Sequence, residues 1–252
     1  MTPDWVKCLS NCADPQRARH FFELLSATDV APQLPGLAAA HMRVLTALFS
    51  GSPVLSNLLI ANPDWFTAID LEHIRHPRRK QGLQSEVSGW LKPLLATQDH
   101  AAAYARLRRF KQQQMLRIAT RDLARLAKVG EITRELSDVA DVCLDTVWQI
   151  CRRQFTNRFG QPYHQDAEGR WWPTEFCVLG MGKLGGQELN SSSDVDVLFV
   201  YSEEGRVFKE PPGKKKSPVT TLSNHQYFNR VAESFIARSE ERRVGKECRS
   251  RW

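Results

Sequence analysis

The hydrophobic repeat of this chain changes period once, near Gly160, and that change limits the fold more than any other feature of the sequence. Before it, apolar side chains recur every three or four positions, the spacing of one helix face. Over 13–25, Ala18, Phe21, Phe22 and Leu25 share a side, with Asp14 suited to cap the helix and Pro15 to its first turn. Further helices are expected over 37–49, over 53–61 with a stop at Asn62-Pro63, and over 86–96 with an interruption at Pro93. The longest runs over 99–128, where Tyr104, Leu107, Phe110, Met115 and Ile118 sit among Arg106, Arg108, Arg109, Arg117, Arg121 and Arg125, an amphipathic helix with a basic face. Another starts at Ile132, or after Ser137-Asp138, and reaches Phe155, before Gly160-Gln161-Pro162 closes the helical block. The pattern then turns to short strands over 175–179 and 196–201, rich in strand formers. Residues 202–223, with Pro211-Pro212-Gly213 and Lys214-Lys215-Lys216, read as a loop, and 224–237 returns to helix. Helices followed by a strand-bearing segment define an α+β class.

Composition removes several alternatives. With 42% hydrophobic residues over 252 positions a sizeable core can form, so disorder as the main state is excluded. No run of about 18 apolar residues offers a transmembrane helix. The first residues, Met1-Thr2-Pro3-Asp4-Trp5, lack the basic and apolar regions of a secretory signal. Six scattered cysteines build no disulfide framework, which points to a reducing, cytoplasmic setting. Cys8 and Cys12, with His20 nearby, would be half a zinc site, but no second Cys/His pair completes it, and they read better as small apolar residues on a helix face. The net charge of +7 suggests an anionic partner. No aromatic interleaving accompanies the arginines, so neither nucleic acid nor membrane is expected as that partner.

Chemistry concentrates between the two expected strands. Gly180, Gly182, Gly185 and Gly186 allow close backbone approach and N–H groups that cradle phosphate oxygens, Lys183 adds a compact positive charge, and Ser191, Ser192 and Ser193 add hydroxyls. Asp194-Val195-Asp196 follows. On a strand, residues two apart share a face, so both carboxylates would project together while Val195 and Val197 turn into the core. Paired carboxylates with hard oxygen donors suit Mg²⁺, which binds one or two carboxylates together with substrate phosphates. Leu184 after Lys183 excludes a Walker loop. Alone, an Asp-x-Asp or a glycine turn is commonly a solvated turn. Strand, glycine-rich turn and Asp-x-Asp strand together form the layout of a nucleotidyltransferase.

The run Gly180-Met181-Gly182-Lys183-Leu184-Gly185-Gly186-Gln187-Glu188-Leu189-Asn190, then Ser192-Ser193-Asp194-Val195-Asp196-Val197-Leu198-Phe199, resembles the signature of the bacterial glutamine synthetase adenylyltransferase/adenylyl-removing enzymes. The resemblance reaches upstream to Leu107-Arg108-Arg109-Phe110-Lys111 and Met115-Leu116-Arg117-Ile118-Ala119, and downstream to Gln226-Tyr227-Phe228-Asn229-Arg230, covering most of 40–237. Two similar catalytic halves make up that family, and Gly-Met-Gly-Lys and the distance of the aspartates from Met1 fit the N-terminal, adenylyl-removing half. The resemblance implies phosphorolysis: phosphate attacks AMP on an adenylylated tyrosine of glutamine synthetase, releasing ADP, with regulation of nitrogen assimilation by a PII signalling protein. It implies Asp194 and Asp196 as catalytic Mg²⁺ ligands, and Gly182, Lys183, Gly185, Gly186, Ser192 and Ser193 as the phosphate and nucleotide cradle. The alternatives are ATP-dependent adenylylation of glutamine synthetase, or a non-catalytic partner-binding module.

The resemblance also implies a third carboxylate on a later strand, for which this sequence has no segment. Residues 238–252 instead resemble the in-frame translation of a short-read sequencing adapter, and are expected to be non-native. They hold six Lys or Arg against three Asp or Glu, so +3 of the +7 lies there. The expected organisation is therefore a helical region over 1–160, an incomplete nucleotidyltransferase-type core with a small mixed sheet over 161–237, and that tail, with no activity in the chain alone.

Overall fold

The computed structural model describes residues 3–213 and 219–239. The lysine loop at 214–216 and most of the tail, residues 240–252, lie outside the described residues. The helices are α1 (Pro3–Ser10), α2 (Pro15–Leu25), α3 (Ala39–Gly51), α4 (Pro53–Ala61), α5 (Leu71–Ile74), α6 (Lys80–Ala96), α7 (His100–Leu123), α8 (Val129–Phe159), α9 (Gly182–Gly185) and α10 (Asn224–Ser239). The strands are β1 (Gln161–Gln165), β2 (Trp171–Pro173), β3 (Phe176–Gly180), β4 (Val197–Tyr201), β5 (Arg206–Phe208) and β6 (Val219–Ser223). The expected α+β class holds.

Residues divide into two compact units, one from 1–83, 108–140 and 186–194, the other from 84–107, 141–185 and 195–252. Helices α6, α7 and α8 each contribute to both.

The first unit is helical because its stripes and caps agree. Asp14 has extended backbone and its Oδ1 accepts the Arg17 N–H at 3.0 Å, while Ser52 Oγ accepts the Leu55 N–H at 3.3 Å, so α2 and α4 begin where their first N–H groups find side-chain acceptors. Their apolar faces meet in a core of Trp5, Leu9, Leu25, Leu45, Leu48, Phe49, Leu59 and Trp65, each at most 2% exposed. Cys8 and Cys12 pack against this core as partly buried apolar groups. Helix α7 ends one turn earlier than the expected 128. Arg125, not a glycine, takes the left-handed position at φ 54°, and the Leu126 N–H closes on Arg121 O at 2.9 Å.

The basic face of α7 is partly an interior. Arg117 and Arg121 are buried, and so is Glu135 of α8. Glu135 accepts from both guanidiniums and, at 2.7 Å, from the Arg78 backbone N–H; Arg121 also pairs with Glu131 and donates through Nε to Ile74 O at 2.8 Å. Burial pushes the Arg117 guanidinium below its usual range, against the pull of Glu135. Arg109, further along the helix, bonds to Asn62 and Asp64 and lies over the Trp65 ring. These arginines are occupied by acidic neighbours within the helical unit.

In the second unit two sheets form. One has the order β2-β1-β5-β6, the other pairs β3 with β4. Among the described residues every strand pairing is antiparallel, which corrects the expected mixed sheet. Strands β5 and β6 also correct the reading of 202–223 as loop. Gly205 lets the chain pass close to Tyr163, since a Cβ there would meet Tyr163 O at 2.0 Å. Trp171-Trp172 forms β2, with Trp171 edge-on to Phe208 and Trp172 half exposed, its indole N–H on Asp166. His164 has a partner, Thr174 Oγ1, at 3.2 Å. The β3–β4 ribbon is packed on one face only. Phe176 stacks on Trp148 and Phe228, and Phe199 meets Phe235 edge-on. Leu179, Leu198 and Val200, on alternate positions, are 42–51% exposed. Helix α6 continues through Pro93, whose position corrects the expected interruption there.

Candidate functional site

Each predicted site residue belongs to one of the two units. Gly182, Lys183, Gly185 and Asp196 fall in the second; Gly186, Ser192, Ser193 and Asp194 fall in the first. Each group is described with its own unit.

In the second unit the site sits at the open end of the β3–β4 ribbon. The ladder runs from Phe176 opposite Tyr201 to Gly180 opposite Val197. It is extended by one bond, from the Met181 N–H to Asp196 O at 2.8 Å. Asp196 therefore precedes β4 instead of beginning it, and Asp194 lies earlier still, outside any strand. The expected placement of the pair on a strand is corrected, and Val195, expected in the core, is exposed. Gly182 has φ +52°, and a Cβ on it would come within 3.2 Å of Asp196 Oδ2. The carboxylate thus lies over a residue that only glycine fills without strain. Gly185 is required for a different reason: its Cβ would meet Gly180 O at 2.6 Å. Its N–H donates to Met181 O at 3.1 Å, so this amide closes the α9 turn and is not available to a phosphate. Leu184 is buried against Gly180, and Lys183 beside it is exposed.

In the first unit, 186–194 forms an ordered loop. Leu189 is buried, and its N–H donates to Ser137 Oγ of α8 at 3.1 Å. Asn190 Oδ1 accepts from the Ser192 N–H at 3.1 Å, from Ser192 Oγ at 3.2 Å and from Ser193 Oγ at 2.7 Å, and Asn190 O accepts the Ser193 N–H at 3.2 Å. The serine hydroxyls expected to face phosphate are engaged by Asn190 instead. Asp194 is exposed. A Cβ on Gly186 would touch only the Glu188 side chain, at 3.4 Å, so this glycine is the least constrained of the set.

Asp194 and Asp196 are exposed carboxylates, oxygen donors of the kind a hard cation takes. Among the described residues no group of three or more His, Cys, Asp or Glu is placed to hold a metal ion. Two carboxylates fit Mg²⁺, which keeps waters and substrate oxygens in its remaining positions. A cavity of about 460 Å³ in the second unit, lined by Trp148, Arg152, Trp172, Phe176 and Tyr227 among others, contains none of the predicted site residues. Sequence reasoning missed Ser137 and Asn190. The second had a signal, because Asn two residues before a serine is an Asx-turn pattern.

In the second unit the glycine turn and the Asp196 carboxylate meet at the open end of the hairpin, the layout expected of a nucleotidyltransferase. Sequence comparison makes the class specific. The chain belongs to the glutamate-ammonia ligase adenylyltransferase family, whose model matches residues 42–244. Among its relatives, the bifunctional glutamine synthetase adenylyltransferase/adenylyl-removing enzyme of Thioalkalivibrio sulfidiphilus is 34% identical over 220 residues, 86% of this chain and 21% of the relative. The protein of the same description from Shewanella oneidensis is 31% identical over 237 residues, 92% of this chain and 22% of the relative. That from Nitrosococcus oceani is 42% identical over 136 residues, 54% of this chain and 13% of the relative. The chain spans about a fifth of the length of the first two.

Proposed function

We propose that this chain carries the metal-binding hairpin of an adenylyl-removing enzyme acting on glutamine synthetase. The observation that carries the reading is the seat of Asp196 over Gly182, inside a segment matched by the family model. Asp194 and Asp196 would hold Mg²⁺, which when bound neutralises charge on the phosphate oxygens. Lys183, exposed at the start of the α9 turn, is placed to meet an anionic group. In the reaction, an oxygen of inorganic phosphate forms a bond to the AMP phosphorus as the bond to the tyrosine oxygen breaks; ADP leaves, and the tyrosine oxygen takes up a proton. The protein's share is positioning and charge complementarity, with no side chain as nucleophile. A PII signalling protein would act on the longer polypeptide.

The test uses a polypeptide of the relatives' full length containing this sequence, with adenylylated glutamine synthetase as substrate. ADP release that requires phosphate, and that falls at least a hundredfold in Asp194→Asn and in Asp196→Asn, supports the reading. If glutamine synthetase is modified only with ATP, and those two substitutions abolish that activity, this half works in the forward direction that the family description names. Full activity in both variants makes the hairpin vestigial and the chain a partner-binding module.

A further inference from the structure

The loop that ends at Asp194 is held by two residues outside the predicted site. We propose that Ser137 and Asn190 are positioning residues for Asp194, so that the carboxylate meets its cation in one pre-set geometry; this rests on the reading of Asp194 as a metal ligand.

Of residues 186–194, Leu189 is the buried one, and the others are exposed or half-buried. Leu189 therefore carries the loop's apolar anchor, and burying it also buries its backbone N–H. That N–H is satisfied by Ser137 Oγ. Ser137 is fully buried in α8 and its hydroxyl donates back to Thr133 O at 2.8 Å. Serine brings little to a helix interior by propensity. A hydroxyl can nevertheless give its hydrogen to the helix and still accept from the loop, which alanine cannot do. Helix α8 is rigid at this point, since Glu135, two residues earlier, is fixed by Arg117 and Arg121.

From that peg the chain reaches Asp194 in five residues, and Asn190 removes most of their freedom. One carboxamide oxygen gathers three donors from Ser192 and Ser193, while the Asn190 carbonyl closes the turn on the Ser193 N–H. The next residue is Asp194. Peg and turn in series fix where its carboxylate begins, the role outer partners play around metal ligands.

The experiment uses the full-length polypeptide with Ser137→Ala, Ser137→Thr, Asn190→Ala and, as control, Asp194→Asn. Two readouts are independent of turnover: Mn²⁺ affinity by electron paramagnetic resonance, and backbone hydrogen exchange of peptides covering 186–194. Ser137→Ala and Asn190→Ala are expected to weaken Mn²⁺ binding about 10–100-fold. They should also speed exchange in the loop about tenfold or more and raise the Mg²⁺ concentration for half-maximal phosphorolysis in step. Ser137→Thr keeps the hydroxyl and should stay near wild type in all three. Asn190 is exposed, so its variant carries the test if Ser137→Ala does not fold. Mn²⁺ affinity within twofold of wild type in Ser137→Ala and Asn190→Ala, with Asp194→Asn impaired, overturns the positioning role alone. Unchanged affinity in Asp194→Asn removes the metal-ligand reading, and the positioning role with it.

Discussion

Glu135→Gln is the substitution with the largest calculable effect outside the site. Glu135 is 1% exposed and faces Arg117 and Arg121, whose side chains are 3% and 0% exposed. All three charges have therefore given up their hydration. With glutamine at 135, the volume and one acceptor oxygen stay, but two buried guanidiniums lose their shared counter-charge. Glu131, which is 42% exposed, still faces Arg121. Removing one partner from a buried ion network costs about 3–5 kcal/mol, because the charge left behind is uncompensated. Domains are stable by about 5–15 kcal/mol, so about a fifth or more of the total is at stake. With a urea slope of about 2–3 kcal/mol per molar for a chain of this size, the midpoint should fall by about 1–2.5 M. The assay is a urea titration followed by tryptophan fluorescence, since Trp5 and Trp65 lie in the core of the same unit. Glu131→Gln serves as the comparison and should cost about 1 kcal/mol or less, as half-solvated pairs do. A loss below about 1 kcal/mol for Glu135→Gln would place it with such pairs and refute the reasoning.

Three further outcomes follow from local geometry. Burial holds the His41 imidazole below its usual pKa, despite Asp70 at 3.7 Å and a backbone bond at Ile69. The folded state thus refuses a proton that the unfolded chain accepts near pH 6.5. Thermal stability should hold above pH 6.5 and decline as the pH falls below it, with a shallower decline in His41→Gln; an equal decline in both would remove His41 as the cause. Gly185→Ala places a Cβ 2.6 Å from a backbone oxygen and should cost about 1–3 kcal/mol, whereas Gly89→Ala, in α6 with nothing within 4 Å, should gain about 0.5–1 kcal/mol; paired melting curves check the opposite signs. Asp14→Ala removes the α2 cap and should cost about 1 kcal/mol in the same measurement.

Helices with a local cause were legible in the sequence. Asp14-Pro15 and Ser52-Pro53 carry both cap and first turn, and α4 spans the expected 53–61. The strands β1, β2, β5 and β6 were not, because their stability is not local. Gln161–Gln165 contains a proline and a histidine and becomes a strand only by lying between β2 and β5. The arginine-rich face of α7 leaves two readings open in sequence, pairing with acidic neighbours in a helical bundle or lying against glutamine synthetase, and the first holds for Arg117 and Arg121. Period alone cannot say that Arg117 and Arg121 face inward, since the acids that accept them are 10 to 18 residues away on the next helix. Such partners are invisible to any window the length of one helix turn.

The candidate site shows the same division more sharply. Residues whose role depends on backbone shape could be read from type alone: Gly182 takes φ +52°, and a Cβ on Gly185 would meet Gly180 O at 2.6 Å. Residues whose role depends on a hydrogen bond are harder to read, because several partners can take the same donor. Ser192 and Ser193 offer hydroxyls that suit phosphate, yet Asn190 two and three positions earlier captures them first. A side-chain amide that near competes at high effective concentration, while a phosphate must arrive from solution. A phosphate that reached these hydroxyls would have to displace Asn190 and release the turn that leads to Asp194. In this structure the hydroxyls serve that turn, so residue type alone names the donor and not its partner.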